Sequence, residues 1–427
     1  MLVLLAAAAL AADQAPVSSG CYQNLCNAEA IAPFLAKLRA ARPGVGTPVH
    51  IIQIGDSHTA GDNITQGWRS RLQAAHGFGG RGVLAAGRPY RGYITWGVTA
   101  SQSAGWRVNA TFGGSYQDGG APLGISGFTQ TVSAAGETIG VTADAPEQNF
   151  DRVILCAIAQ PGGGTFILRM GGEEHRWSLD APTTQPACRA VDSQSPVGSA
   201  SVTTEDAGIV SITSFATFRR RGGVVLSNLG VVGSQLSHFG RTSDAVLRAE
   251  FAAYRPDLII LAYGTNEGFS PSGSGDGFEN SIRAQVQRVR RLAPNVPIML
   301  LGAPDAGTSN AGLSGGMMCG AGWYEPRLLS VVREAQVRVA RDLHLAFWNW
   351  ASAMGGRCSS YQWQLTAQMR GDHVHFTRPG GDRIGSLIDA DVSRAAQNVR
   401  AGATAISRYR EDVDGATVPV EDGRRRP

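Results

Sequence analysis

Two hydrophobic periods alternate along much of the chain. Short apolar runs, "VHIIQIGD" ending at Asp56, "GVVLSNLGVVG" from Gly223 to Gly233, "DLIILAYGTNE", "PIMLLGAPD" and "LAFWNW", have the length and branching of buried strands. Between and after them lie segments with helical spacing. "FENSIRAQVQRVRRLAP" carries Ile282, Val286 and Val289 on one face, and "PRLLSVVREAQVRVARDLH" keeps Leu328, Val332, Ala335 and Val339 in register. "SDAVLRAEFAAYRP" reads as a further helix, and "PGGDRIGSLIDADVSRAAQNV" as a closing one begun by Pro379. Strands alternating with helices predict an α/β fold, a parallel sheet covered on both faces as a three-layer α/β/α arrangement.

From Asn109 to Arg221 that alternation is absent. "GFTQTVSAA", "ETIGVTAD", "DRVILCAIA", "GTFILRM", "EEHRWSLD" and "AGIVSITSFA" are short, rich in Thr, Val and Ile, and separated by Gly, Pro and Asp. Regular short strands of this kind predict a β-sandwich. The expected organisation is therefore a β-sandwich domain over 109–221 inserted into an α/β domain, whose two segments cover 20–108 and 222–400. The insertion is expected to contribute binding and no chemistry.

The ends of the chain differ from its body. "MLVLLAAAALAADQA" is too short an apolar run to span a bilayer and reads as a signal peptide over residues 1–19, although no Lys or Arg precedes it. The last stretch, 401–427, lacks apolar periodicity and is expected to be disordered. Six cysteines agree with an oxidising compartment, and proximity pairs Cys21 with Cys26, Cys156 with Cys188, and Cys319 with Cys358. A formal net charge of +4 with no long basic block gives no reason to expect a nucleic-acid partner. The protein is expected to be periplasmic, monomeric and without an integral membrane segment.

The chemistry collects at strand ends. The first strand runs into Gly55-Asp56-Ser57-His58, the second into "NLGVVGS", the third into Gly264-Thr265-Asn266-Glu267, and "GDHVHFT" precedes the closing helix. Open α/β sheets bind ligands at the carboxyl ends of their strands. Ser57 is thus the candidate nucleophile, His375 its general base, and Asp372 the carboxylate orienting the imidazole. The backbone N–H groups of Ser57 and Gly233 with the Asn266 side chain make a candidate oxyanion hole, with Gly230 the alternative to Gly233. Neither a cofactor nor a metal is required by this set. "GLSGG" around Ser314 lies in a Gly-rich stretch several residues beyond its strand, where a nucleophile elbow has no support.

"GDSH", "NLGVVG", "GTNE" and "DHVH", in that order, resemble the blocks of the SGNH (GDSL-type) hydrolases. The resemblance assigns the four name-giving roles to Ser57, Gly233, Asn266 and His375, and Asp372 completes the triad. His58 stands where many members have Leu. "GDSHTAGD", "GRGVLAAGRPYRGY", the β insertion and "DHVHFTRPGG" together are similar to the bacterial periplasmic peptidoglycan O-acetylesterases. This implies a serine esterase that removes acetyl from the C6 oxygen of N-acetylmuramic acid, with an insertion like a carbohydrate-binding module. Acetyl transfer to a sugar hydroxyl and deacetylation of another polysaccharide use the same triad. A dinuclear metallophosphoesterase needs a denser ligand set than 8 His provide. A non-catalytic wall-binding protein has no need of an intact triad.

Overall fold

The computed structural model describes residues 21–399; the signal peptide and the tail expected from the sequence lie outside them. Five parallel strands form the centre: Val49–Gly55, Val224–Gly230, Leu258–Ala262, Ile298–Leu301 and Ala346–Trp348. Their spatial order places the second strand at one edge, then the first, third, fourth and fifth. A small hairpin, Cys21–Tyr22 with Leu25–Cys26, adds antiparallel to the fifth strand. Each strand is buried on both faces, so its apolar residues divide by the two-residue pleat. Ile52, Ile54, Ile259 and Leu261 join one core with the helices Asp244–Tyr254, Gly275–Leu292 and Leu329–Asp342. Ile51, Leu258, Ile260 and Met299 join the other with the helices Ala32–Ala40, Asn63–His76 and Arg378–Asn398. These are the three layers the sequence predicts.

The β-rich region is two packed antiparallel sheets of five and six strands. Their shared core includes Leu84, Trp106, Phe150, Phe166, Val202 and Phe215. It begins earlier than the expected Asn109. Strands Val98–Gln102 and Arg107–Ala110 each belong to one of the two sheets, and Gly82–Leu84 pairs with Val210–Phe218. Gly and polar residues interrupt this stretch, which is why alternation alone did not mark it as strand.

The insertion is not a tethered module. Ile125, Ile154, Cys156, Ala216 and Phe218 share a core with Phe251 and Tyr254 of the α/β domain. The fully buried Glu250 crosses the junction. Its carboxylate accepts from Ile125 N at 2.5 Å, Thr213 Oγ1 at 2.7 Å and Ser214 Oγ at 2.5 Å. Burial raises the Glu250 pKa despite those donors. Disulfides join Cys21 to Cys26, Cys156 to Cys188 and Cys319 to Cys358, the pairs that proximity suggests. Among the described residues no helix is long and apolar enough to cross a membrane.

Candidate active site

In this strand order the second strand is added on one side of the first and the third on the other, and this reversal of winding opens a crevice at the carboxyl ends of the first and third strands. Ser57 opens a one-turn helix, Ser57–Ala60, directly after the first strand. Asp56 caps that helix by accepting from His58 N at 2.9 Å. At the first position of a helix the Ser57 N–H has no partner within the helix. It is available to a developing anion.

The predicted triad comes together. Ser57 Oγ stands 3.0 Å from His375 Nε2, and His375 Nδ1 is 2.9 Å from Asp372 Oδ2. Asp372 also accepts from the backbone N–H groups of Val374 and His375, each at 2.9 Å. Burial opposes ionisation of Asp372, but these three donors outweigh it and hold the carboxyl below its usual range. Such an arrangement can pass a proton from a serine hydroxyl to an imidazole whose tautomer is fixed.

Geometry separates the two candidate glycines. Gly230 ends its strand opposite Gly55, and a Cβ there would lie 2.1 Å from Ala60 N and 2.6 Å from Asp56 O. Its role is close packing of the second strand against the Ser57 helix. Gly233 lies in the turn beyond, with φ +75°, and Val232 before it lines a pocket of about 280 Å³ with Ser57 and His375. Asn266 Nδ2 donates to Ser234 O at 2.9 Å, which fixes this amide beside that turn and leaves its second hydrogen uncommitted by this bond.

His58 has a distinct place. Its buried ring sits between Asp56 Oδ1, 3.2 Å from Nδ1, and Val374 O, 2.9 Å from Nε2. Both neighbours are acceptors, so both nitrogens are served best as N–H. Burial disfavours the charged ring, yet the Asp56 charge and these hydrogen bonds outweigh it and raise the pKa. The ring thereby ties the serine block to the loop that carries His375. His373, in the left-handed region at φ +54°, stacks on Trp323 at 3.8 Å and braces the other side of that loop. Trp323 comes from a hairpin, Ser314–Gly320 with Trp323–Pro326, where the sequence suggested only loop.

Sequence reasoning missed two supports. Phe112 of the insertion contacts the Gly233 turn, since a Cβ on Gly233 would come within 2.9 Å of its ring, and it stacks on His238 at 4.4 Å. Asp62, fully buried, accepts from Arg69, Arg81 and the Trp96 N–H at 3.0, 2.9 and 3.0 Å. An acidic residue closing "GDSHTAGD" with an arginine seven positions on was the available signal for the second. Nothing local marks Phe112.

A model of the GDSL-like lipase/acylhydrolase family matches residues 212–383, a span holding Gly233, Asn266, Asp372 and His375 but not the Ser57 block, which the insertion separates from it. The whole described fold superposes on a solved peptidoglycan O-acetylesterase with a TM-score of 0.73 at 26% identity, covering 89% of this chain and 99% of that one. The chain belongs to the SGNH (GDSL-type) hydrolase superfamily. It is a carboxylic ester hydrolase, like the other acylhydrolases of that superfamily. Family two carbohydrate esterases from Clostridium thermocellum and Cellvibrio japonicus align at 14% and 12% identity. They cover 62% and 70% of this SGNH chain, and 94% and 98% of their own lengths, each with a TM-score of 0.27. No curated protein matches the sequence.

Proposed function

We propose that this hydrolase removes O-acetyl groups from a cell-wall polysaccharide, and that its substrate is the C6 O-acetyl of N-acetylmuramic acid in peptidoglycan. Ser57 Oγ attacks the acetyl carbonyl carbon while its proton passes to His375 Nε2, and Asp372 stabilises the imidazolium. The carbonyl oxygen, now an anion, sits against the N–H groups of Ser57 and Gly233 and the Asn266 amide. Collapse expels the sugar oxygen, which takes the proton from His375. Water, deprotonated by the same imidazole, then cleaves the acetyl-Ser57 ester and releases acetate.

The observation that carries this reading is the Ser57–His375–Asp372 relay, at 3.0 and 2.9 Å, in a fold that superposes on a peptidoglycan O-acetylesterase. Three disulfides support an exported, periplasmic location. The test is acetate release from purified O-acetylated peptidoglycan compared with acetylated xylan. Ser57→Ala and His375→Ala are each expected to lower turnover by about three orders of magnitude or more, and Asp372→Ala by less. Dialysis against EDTA is expected to leave activity intact, and a sulfonyl fluoride to abolish it. Release from xylan alone would overturn the substrate. Loss to chelator, restored by a divalent ion, would overturn the serine chemistry.

A further inference from the structure

A second cavity, of about 340 Å³, shares Asn63 with the catalytic pocket. Gln66, Trp96, Arg378 and Asp382 line the rest of what matters in it. Its two principal side chains are tied to the catalytic blocks, Trp96 through backbone hydrogen bonds and Arg378 through the chain. Trp96 is held by Asp62 at the end of the serine block: its N–H donates to Asp62 Oδ2 at 3.0 Å, and its carbonyl accepts from Arg81 Nε at 2.8 Å. Arg378 follows His375 by three residues, and its guanidinium lies 4.5 Å over the Trp96 ring.

The acid lining this pocket, Asp382, feels the Arg378 charge but forms no ion pair with it. Both Asp382 oxygens are taken by Arg71, at 2.7 and 3.0 Å, and Arg378 makes no ion pair among the described residues. Nor does the helix it opens call for a cation. Arg378 is the first helical residue, where the macrodipole disfavours positive charge, and Thr377 already caps that end by accepting from Gly380 N at 3.3 Å. A guanidinium whose carbon sits over an indole face is held by the ring and not by an acid, so its N–H groups remain free to receive a carboxylate through two parallel hydrogen bonds.

We propose that this cavity is a subsite for a carboxylate borne by the glycan close to the acetylated hydroxyl, with Arg378 as its receptor and the Asn63 amide available to neighbouring polar groups. The Gln66 oxygen is already taken by Arg69 at 2.7 Å, which leaves its NH2 as the group on offer. This subsite deepens the proposed function and rests on that reading for its polymer. In peptidoglycan the carboxylate has two sources, the stem peptide and, once the peptide is removed, the lactyl group.

The test compares wild type with Arg378→Met, an exposed position whose replacement keeps the side chain's length. The quantity read is kcat/KM on polymer divided by kcat/KM on p-nitrophenyl acetate. Polymers are O-acetylated peptidoglycan with its peptides, the same material stripped by an amidase, each with and without carbodiimide-coupled methylamine, and acetylated glucuronoxylan. Neutralising the carboxylates is expected to lower the wild-type ratio about ten-fold, and Arg378→Met to lower it equally on untreated polymer. The variant is expected to be indifferent to neutralisation, because the two changes remove one interaction. The arm in which the effect survives identifies the source. A variant with the wild-type ratio, or one that still senses neutralisation, overturns the subsite. Wild-type activity on glucuronoxylan but not peptidoglycan overturns the peptidoglycan reading alone, and Arg378→Met then decides the subsite on the uronic acid.

Discussion

Replacing Gly230 by Ala is a test of how the second strand positions the nucleophile. The new Cβ would lie 2.1 Å from Ala60 N, 2.6 Å from Asp56 O and 2.7 Å from Ala60 Cα, all backbone atoms of the turn that carries Ser57. Ala60 N and Asp56 O already bond to each other at 2.9 Å, so neither can swing aside alone. Restoring van der Waals separation takes a movement of about 1 Å, and the one-turn Ser57 helix is the smaller body to move. Overpacking of this kind costs about 1–3 kcal/mol. It also carries Ser57 Oγ away from His375 Nε2, whose present separation of 3.0 Å has little room before the hydrogen bond is lost. A misplacement of that size lowers turnover about 10²-fold. The assay is kcat on p-nitrophenyl acetate, corrected for the folded fraction by circular dichroism. Gly233→Ala gives the contrast: its strain is a left-handed φ of +75° and the Phe112 ring edge at 2.9 Å, a side-chain contact with no backbone atom of the Ser57 turn among its nearest neighbours. A folded Gly230→Ala enzyme with kcat within two-fold of wild type would refute the reasoning.

Two further tests address pH and the insertion. Burial pushes the Glu267 carboxyl up to about 7, in spite of the bond it accepts from Leu236 N at 2.7 Å. Its folded pKa lies above its unfolded one, so the protonated native state is favoured below about pH 4.5, and that stability, about 3 kcal/mol, is lost as pH rises through 7. Glu267→Gln keeps the acceptor and is expected to flatten the decline in melting temperature between pH 5 and 8; equal slopes in both proteins would count against it. Replacing the insertion by a Gly/Ser linker strips Ile125, Ile154, Ala216 and Phe218 from the shared core and leaves Glu250 buried without its donors. Such a protein is expected to lose p-nitrophenyl acetate hydrolysis together with its native circular dichroism, and full activity on that ester would show instead that the insertion can be removed without cost to the catalytic fold.

The chain's local patterns determined the layers and the parts of the site. A two-residue pleat buried on both faces and a 3.6-residue stripe between strands are written in single segments, so the α/β/α core is legible without contacts. Ser57, Asn266, Asp372 and His375 are legible for a related reason: each sits in a polar block at the end of an apolar strand or before a helix. What tertiary structure alone decided lies in pairs with no local pattern. Gly230 and Gly233 are two similar glycines in one sequence, and only the approach of Ala60 to the first and Phe112 to the second separates them. Phe112 lies 121 positions before Gly233 in the chain, and Glu250 meets Ile125 across 125. Periodicity describes which face of an element is apolar. It carries no information about which distant face will cover it, and so only the folded structure shows that the inserted β region shares the hydrolase core.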